Sequence, residues 1–154
     1  QFEPIDFKTL VNDIIEFYEA VFEDKKLMVK KDIDACAEIH FRGDKQLLSQ
    51  AIVNLIDNAC KYTQEGGEIE ISLQERDNSI HLTIADTGIG IEDEVLDRVS
   101  ERFFRVDSSR HEEGYGLGLS LVKAVAALHH GKLILEQNNP GLRASLVFPI
   151  KTYA

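Results

Sequence analysis

The sequence has little of what builds a disulfide-stapled or membrane-spanning protein. Its 154 residues include two cysteines, three prolines, one methionine and no tryptophan. No apolar run approaches the roughly 20 residues that a membrane helix needs, and no secretory signal pattern opens the chain. Cys36 and Cys60 lack the spacing of metal ligands, so we expect two reduced and largely buried thiols.

Positive charge is also scarce. Lys and Arg number 17 against 27 Asp and Glu, which gives a formal net charge of -10. This balance excludes a broad electrostatic footprint on nucleic acid or on an anionic membrane, so any polyanionic ligand has to be held by a local cluster. We expect a single domain over residues 1–154. Because Gln rather than Met stands first, we also expect a fragment of a longer chain.

The spacing of apolar residues predicts an α/β (α+β) two-layer sandwich, with a mixed β-sheet of about five strands and helices on one face. The expected helices run from the Asp6 cap to about residue 26 and over residues 45–62, 92–99 and 117–128. The expected strands cover residues 27–33 and 37–41 and two hairpins at 66–87 and 132–150. The irregular connection at residues 100–115 is longer than most loops of compact domains and is expected to act as a lid.

The segment NLIDNACKYT at residues 54–63 places two carboxamides and a cation on one stripe of a predicted helix. Asn54, Asn58 and Lys61 are spaced i, i+4 and i+7, opposite a continuous apolar face. Neutral oxygens beside an ammonium group suit a site that binds Mg2+ and a polyanion together. The plainer interpretation is the wet side of an amphipathic helix, and this segment alone favours it.

A second motif, Asp86-Thr87-Gly88-Ile89-Gly90, ends a predicted strand. Gly88 and Gly90 allow tight turns and close approach of a ligand, while Asp86 can accept the hydrogen of an exocyclic amine. A strand-to-helix turn with Asp86 as a local cap is an equally good interpretation of this motif alone.

Two further motifs lie at and before the start of the last predicted helix. Closely spaced glycines expose backbone N–H groups at a helix start, which favours anion binding. This glycine-rich segment consists of Gly114, Tyr115, Gly116, Leu117, Gly118 and Leu119. Phe103 and Phe104 suit the anchor of a lid from which Arg105 and Arg110 reach phosphate oxygens, although an aromatic pair is more often part of a core.

Together and in this order, the four motifs resemble the nucleotide-binding boxes of the sensor histidine kinase catalytic domain. This domain belongs to the GHKL superfamily, which also contains gyrase, Hsp90 and MutL. The resemblance covers nearly the whole chain. It implies a GHKL-type ATP-binding fold with a flexible lid, and ATP and Mg2+ as cofactors.

The resemblance also implies a role for each matching residue. Asn58 is implied as a Mg2+ ligand with Asn54 beside it, Lys61 as a phosphate contact, and Tyr62 as a residue that packs on the adenine. Asp86 is implied to read the adenine amino group. The phenylalanine and glycine boxes are matched by Phe103, Phe104, Gly114, Gly116 and Gly118.

The sequence departs from the family pattern at two places. Glu113 precedes Gly114, where the glycine box often begins with a pair of glycines. Near the C-terminus, residues 141–144 read GLRA in place of a common GTxF pattern whose Thr lies by the adenine, so no contact of that Thr is carried over.

Position 54 bears on the type of reaction. Related ATPases carry a Glu four residues before the metal-binding Asn, where it acts as a general base, and Asn54 stands in that place here. An amide cannot accept a proton, so we expect slow hydrolysis and transfer of the ATP γ-phosphoryl group to an imidazole. No histidine of this chain has the family's acceptor setting. We therefore expect the acceptor on a separate dimerisation and phosphoacceptor domain, with a response regulator as an indirect partner.

The expected protein is thus a protein-histidine kinase that is incomplete without its phosphoacceptor domain. As a fragment it is expected to be monomeric and cytoplasmic, with no nucleic acid partner and no direct membrane contact. Two alternatives are a GHKL-type ATPase, which rapid hydrolysis would indicate, and a degenerate nucleotide-binding regulatory module, which an absence of nucleotide binding would indicate.

Overall fold

The computed structural model describes residues 1–33, 39–89 and 113–150, with side chains of the last segment described from residue 118. Three helices and seven strands follow one another within these ranges. In chain order they are β1 (Glu3–Asp6), α1 (Phe7–Asp24), β2 (Met28–Asp32), β3 (His40–Gly43), α2 (Lys45–Tyr62), β4 (Glu68–Arg76), β5 (Ser79–Asp86), α3 (Glu113–Leu128), β6 (Lys132–Gln137) and β7 (Leu142–Pro149).

Five of these strands form one mixed sheet in the order β2-β4-β5-β7-β6. β2 is parallel to β4, and the other neighbouring pairs are antiparallel. Alternate residues of the three central strands join the apolar residues of the helices in one core. They are Ile69, Ile71, Leu73, Ile80, Leu82, Ile84, Leu142, Ala144, Leu146 and Phe148. The predicted α/β sandwich with a mixed five-stranded sheet is confirmed.

The other face of the sheet carries polar side chains. Ser72, Thr83 and Ser145 stand side by side on β4, β5 and β7. All three are half-buried, and the hydroxyls of Thr83 and Ser145 hydrogen-bond to each other at 3.0 Å. An antiparallel sheet with one polar face needs helices on the other face only.

An aspartate caps each of the first two helices. The Asp6 carboxylate accepts hydrogen bonds from the backbone N–H groups of Lys8 and Thr9 at 3.1 and 3.3 Å and from the Thr9 hydroxyl at 2.8 Å. The bond from the Thr9 hydroxyl lowers the pKa of Asp6. Asp44 caps α2 in the same way, because its carboxylate accepts from the Leu47 N–H at 3.0 Å. Asp6 ends β1 and Asp44 follows β3, so each helix starts directly after a strand.

α1 fixes the last turn of α2. The Lys25 ammonium donates hydrogen bonds to the carbonyl oxygens of Cys60 and Lys61, and the Tyr18 hydroxyl donates to Asp57 at 3.4 Å. A cation stabilises a helix C-terminus because the last carbonyls have no partner within the helix. All the predicted apolar residues of α1 are buried: Phe7, Leu10, Val11, Ile14, Ile15, Tyr18 and Phe22.

His129, which follows α3, fixes the opposite end of α2. Its Nδ1–H donates to the Val125 carbonyl at 2.8 Å, and its Nε2 accepts from the Asp44 backbone N–H at 3.0 Å. These two bonds require the neutral ring with its proton on Nδ1. The buried ring also stacks on Phe2 at a centroid distance of 4.9 Å and meets Phe148 edge to face. The N-terminus of α2 and the C-terminus of α3 are thus joined.

The elements depart from the predicted ones in three places. The sequence does not predict β1, whose short antiparallel pairing with β3 gives no periodic signal. β3 starts at His40, three residues later than predicted. α3 starts at Glu113, four residues before the predicted start, and a glycine within a helix costs only about 1 kcal/mol, so the glycine-rich segment does not prevent the helix. The predicted helix at 92–99 lies outside the described residues, as does the predicted lid apart from its last three residues, which belong to α3.

Cys60 is a buried free thiol, as predicted, and burial raises its pKa to about 11. Cys36 lies outside the described residues. Within the described ranges, none of the helices combines the length and the apolar character needed to cross a bilayer.

Replacing Lys25 by Ala leaves two carbonyls of α2 without their ammonium donor. We expect the free energy of unfolding to fall by about 1 kcal/mol, measured by urea denaturation. Lys132, an exposed lysine on β6, is the control, and K132A is expected to change stability by less than about 0.5 kcal/mol. Equal stability of the two variants would contradict the capping role of Lys25.

Candidate functional site

The C-terminal half of α2 carries the predicted amide stripe. Asn58 is buried, with 7% of its surface exposed. Asn54 is half-buried and Lys61 is exposed. The plainer interpretation of this segment, in which the stripe is the wet side of the helix, is therefore wrong for Asn58.

The Asn58 amide is buried without a protein partner for its nitrogen. Among the described residues, none forms a hydrogen bond with Nδ2. A buried unpaired donor costs about 1–3 kcal/mol, so a natural structure that keeps one calls for an explanation, and a ligand is one. Facing the amide on α3, a Cβ at Gly118 would lie 3.4 Å from Nδ2 and 3.9 Å from Oδ1. A larger side chain there would crowd both polar atoms, whereas glycine leaves space beside them.

Asp86 is a buried carboxylate at the last position of β5, with 3% of its surface exposed. Its Oδ1 accepts hydrogen bonds from the backbone N–H groups of Gly88 at 2.9 Å and Leu142 at 3.2 Å. Burial raises the pKa of Asp86, and these two N–H donors oppose the shift. Within the described ranges no group donates to Oδ2, so this atom is the acceptor that remains for a ligand.

The turn after β5 is pressed against the end of α2. A Cβ at Gly88 would lie 2.2 Å from the Tyr62 carbonyl oxygen, so this position accepts only glycine. The same oxygen accepts a hydrogen bond from the Ile89 N–H at 3.2 Å. The bond from Gly88 to Asp86 is the local cap of the alternative interpretation, so Asp86 both shapes the turn and faces the site.

A third segment, the turn at residues 138–141 between β6 and β7, touches Asp86 from the other side. The Asn138 side-chain Nδ2 donates to the Asp86 carbonyl at 2.7 Å. Gly141 has a φ of +102°, and a Cβ there would lie 1.8 Å from the same carbonyl oxygen. The sequence predicts this turn but gives no signal for its contact with Asp86, because the contact joins residues more than 50 positions apart. Leu142 contributes its N–H where the family pattern has a Thr.

Thr63, directly after α2, is a second buried polar residue that the sequence analysis gives no role. It is 1% exposed, and its hydroxyl has no partner among the described residues. Nearby, the Thr87 hydroxyl accepts from the Glu68 N–H at 3.0 Å and ties the start of β4 to the end of β5. Both threonines lie at the same end of the molecule as Asn58 and Asp86.

The remaining predicted site residues fall into three groups. Leu119 is 2% exposed and belongs to the hydrophobic core. The backbone of Gly114, Tyr115, Gly116 and Leu117 lies in the first turns of α3. The residues Gly90, Phe103, Phe104, Arg105 and Arg110 lie outside the described residues.

A groove of about 530 Å³ lies at the other end of the molecule, beside Phe41 and His129. From there α2 extends about 27 Å to Tyr62, so the groove is not part of the candidate site.

Replacing Asp86 by Asn should make the domain more stable at neutral pH. The Asn oxygen still accepts from Gly88 and Leu142, and a buried amide with an unpaired N–H costs less than a buried carboxylate. We expect a rise in Tm of about 2–4 °C, which corresponds to roughly 1 kcal/mol in a domain of this size. Asp57→Asn, the same change at an exposed carboxylate, is the control.

The gain should depend on pH in a defined direction. Because the pKa of Asp86 is raised above its ordinary value of 3.8 in the folded state, its cost to stability is absent well below that pH. The cost grows as the pH rises through the raised pKa and is constant above it. The Tm values of D86N and wild type should therefore differ most near about pH 7 and converge toward about pH 3. A gain in Tm that grows on acidification would contradict the raised pKa of Asp86.

Comparison with known protein families shows which family this chain is similar to. Residues 43–152 match the family described as histidine kinase-, DNA gyrase B-, and HSP90-like ATPase. The chain is 38% identical over 137 residues to the heme sensor protein HssS of Staphylococcus aureus, and 39% identical over 128 residues to the adaptive-response sensory kinase SasA of Rippkaea orientalis. These matches cover 89% and 82% of this chain, but only 29% and 32% of the relatives.

Solved structures give the same result for the fold. The catalytic domain of histidine kinase ThkA has a TM-score of 0.85 at 21% identity, with 99% of both chains covered. The mycobacterial sensor histidine kinase MprB has a TM-score of 0.76 at 28% identity, covering 99% of this chain and 100% of that one. The resemblance predicted from the four motifs is confirmed. The chain belongs to the histidine kinase-, DNA gyrase B- and HSP90-like ATPase family, as a catalytic domain of the sensor histidine kinase type.

Proposed function

We propose that this domain binds ATP and Mg2+ at the C-terminal end of α2 and donates the γ-phosphoryl group to a histidine on a separate dimerisation and phosphoacceptor domain. One observation carries the proposal. Among the described residues, no group donates to Oδ2 of the buried Asp86 carboxylate and none pairs with Nδ2 of buried Asn58, and these two residues lie at the same end of the fold. The carboxylate oxygen suits the amino group of a nucleotide base, and the amide N–H suits a phosphate oxygen.

Asp86 selects the base in this proposal. Its Oδ2 accepts a hydrogen from the exocyclic amino group of adenine. Guanine carries a carbonyl oxygen at that place, so two acceptors would face each other without a proton between them. A site built on one such buried hydrogen bond discriminates strongly, because the wrong ligand leaves the protein group unpaired. Tyr62, which is half-buried at the end of α2, is proposed to pack on the adenine ring.

Asn58 and Asn54 are the proposed holders of the metal, with Asn58 first. Mg2+ prefers hard oxygen ligands and keeps several waters and phosphate oxygens in its shell. An Asn that gives its oxygen to the cation still has an N–H group to donate to a phosphate oxygen, and the unpaired Nδ2 of Asn58 fits that role. The bound cation would neutralise charge on the phosphates. Lys61, exposed one turn further along α2, adds a positive charge for the phosphates in a chain whose net charge is -10.

The absence of a base at position 54 favours transfer over hydrolysis. The Asn54 amide cannot take a proton from water. A neutral imidazole nitrogen has a lone pair of its own, so it can attack the γ-phosphorus without such a base. The new P–N bond replaces the bond to the β-phosphate oxygen, and ADP leaves. Arg105, Arg110 and the glycine-rich start of α3 are proposed to stabilise the charge on the transferred group.

Calorimetric titration with ADP and ATP, with and without Mg2+, tests the base and metal assignments. Wild type should bind adenine nucleotides and bind GTP at least about 100-fold more weakly. Asp86→Asn should weaken ADP binding about 10- to 100-fold, since Nδ2 of the new amide would face the adenine amino group donor to donor. Asp57→Asn should bind as wild type does. Binding of ADP by D86N as tight as that by D57N would contradict the assignment, and no nucleotide binding by wild type would indicate a degenerate module.

Phosphoryl transfer is tested with radiolabelled ATP and a purified dimerisation and phosphoacceptor domain from a sensor kinase. We expect label on the acceptor domain, no label on this chain alone, and loss of transfer of about tenfold or more in Asn58→Ala, which removes the metal ligand and the phosphate donor together. Self-labelling of the isolated chain would contradict the proposal. Rapid ATP hydrolysis that survives Asn54→Ala and is lost in Asp86→Asn would instead favour the GHKL-type ATPase.

A further inference from the structure

We propose that Asn138 is a positioning residue. Through the turn at residues 138–141 it fixes the orientation of the Asp86 carboxylate, and so determines how selectively the domain binds the adenine amino group. In the proposed function Asp86 reads the base, and the role of Asn138 rests on that assignment. Neither Asn138 nor this turn belongs to the four nucleotide-binding motifs.

Asn138 is held at three points, two on its side-chain amide and one on its backbone. Its Nδ2 donates to the Asp86 carbonyl at 2.7 Å, and its Oδ1 accepts from the Arg143 guanidinium at 3.4 Å. Its backbone N–H donates to the Gly141 carbonyl at 3.0 Å and closes the turn. The side chain therefore bridges the end of β5 and the start of β7. The short bond from Nδ2 is the only side-chain hydrogen bond to the Asp86 carbonyl among the described residues.

The turn also reaches the Asp86 carboxylate. Leu142, which follows the turn, donates its N–H to Oδ1 at 3.2 Å. Gly141 packs so closely that a Cβ would lie 1.8 Å from the Asp86 carbonyl oxygen and 2.9 Å from Oδ1. One turn thus contacts both the main chain and the side chain of the same residue. If the turn shifts, the carboxylate loses one of its two donors.

This arrangement matters more here because position 142 lacks a hydroxyl. A threonine could turn its side chain toward the ligand or the carboxylate, whereas Leu142 is buried and offers only its backbone N–H. A backbone donor is useful only where the backbone is held. Asn138 supplies that restraint, because its amide fastens the turn to β5 at Asp86. With both donors on Oδ1, the carboxylate plane is fixed and Oδ2 keeps one direction toward the site.

The test compares two nucleotides that differ only in the group that Asp86 is proposed to read. ADP carries the 6-amino group, and purine riboside 5′-diphosphate has a hydrogen there. Affinities of both are measured by calorimetry, or by displacement where binding is weak, for wild type, Asn138→Ala and the control Gln74→Ala. Gln74 is an exposed amide on β4, away from the site.

We expect Asn138→Ala to weaken ADP binding about tenfold, the scale of coupling between groups in contact, and to leave the affinity for the analogue within about twofold. The preference for ADP over the analogue should then shrink by the same factor, and Gln74→Ala should leave it unchanged. If Asn138 only stabilised the fold, replacing it would weaken the binding of both nucleotides equally. An equal loss of affinity for ADP and for the analogue would therefore overturn the positioning role. An unchanged affinity for ADP would also overturn it.

The two assignments fail in different ways. A wild-type domain that binds ADP and the analogue equally would overturn base reading by Asp86 and the role of Asn138 with it. A selective wild type whose preference survives Asn138→Ala would overturn the role of Asn138 alone. If Asn138→Ala does not fold, Arg143→Ala removes only the donor to Asn138 Oδ1. It should reduce the preference about twofold, and an unchanged preference in that variant would overturn the role.

Discussion

The close approach of the backbone on either side of Asp86 is the constraint on which the candidate site depends. On one side Gly88 lies against the Tyr62 carbonyl, and on the other Gly141 lies against the Asp86 carbonyl, with no room for a Cβ at either place. The carboxylate is thereby held by main chain from two directions. A buried carboxylate that is held by backbone N–H groups keeps its orientation, because neither donor can rotate away.

α2 contributes residues both to the core and to the candidate site. Its apolar face is part of the core, yet Asn58 is also buried and keeps an unpaired donor. An apolar residue of similar size at position 58 would remove that cost. The chain instead carries a destabilising amide and a destabilising carboxylate at one end, which is the pattern expected where function and stability compete. The caps at Asp44 and Lys25 lie at the two ends of the same helix and offset part of that cost.

The sequence was most informative where periodicity was long and least informative where a contact joined distant segments. The bounds of α2 and the buried residues of α1 follow from 3.6-residue spacing over five turns. The burial of Asn58 does not follow, because it depends on where Gly118 of α3 passes. The bond from Asn138 to Asp86 does not follow either, since a turn signal fixes local shape and says nothing about which strand end the turn meets. The motif residues are identified by their order along the chain, whereas the residues that hold them in position are identified only by contacts in the folded structure.

The junction at His129 gives α3 the geometry of a lever. His129 joins the C-terminal end of α3 to the start of α2 and to the aromatic rings of Phe2 and Phe148. These contacts form the fulcrum. Gly118 lies about 16 Å further along the helix, so a tilt of roughly 5° about that fulcrum would displace it by about 1.4 Å over the Asn58 amide. Phe2 precedes β1 directly, so a movement of that strand would reach the ring that packs on His129. A small tilt at the His129 junction would thereby become a larger displacement at the candidate site, at the other end of α3.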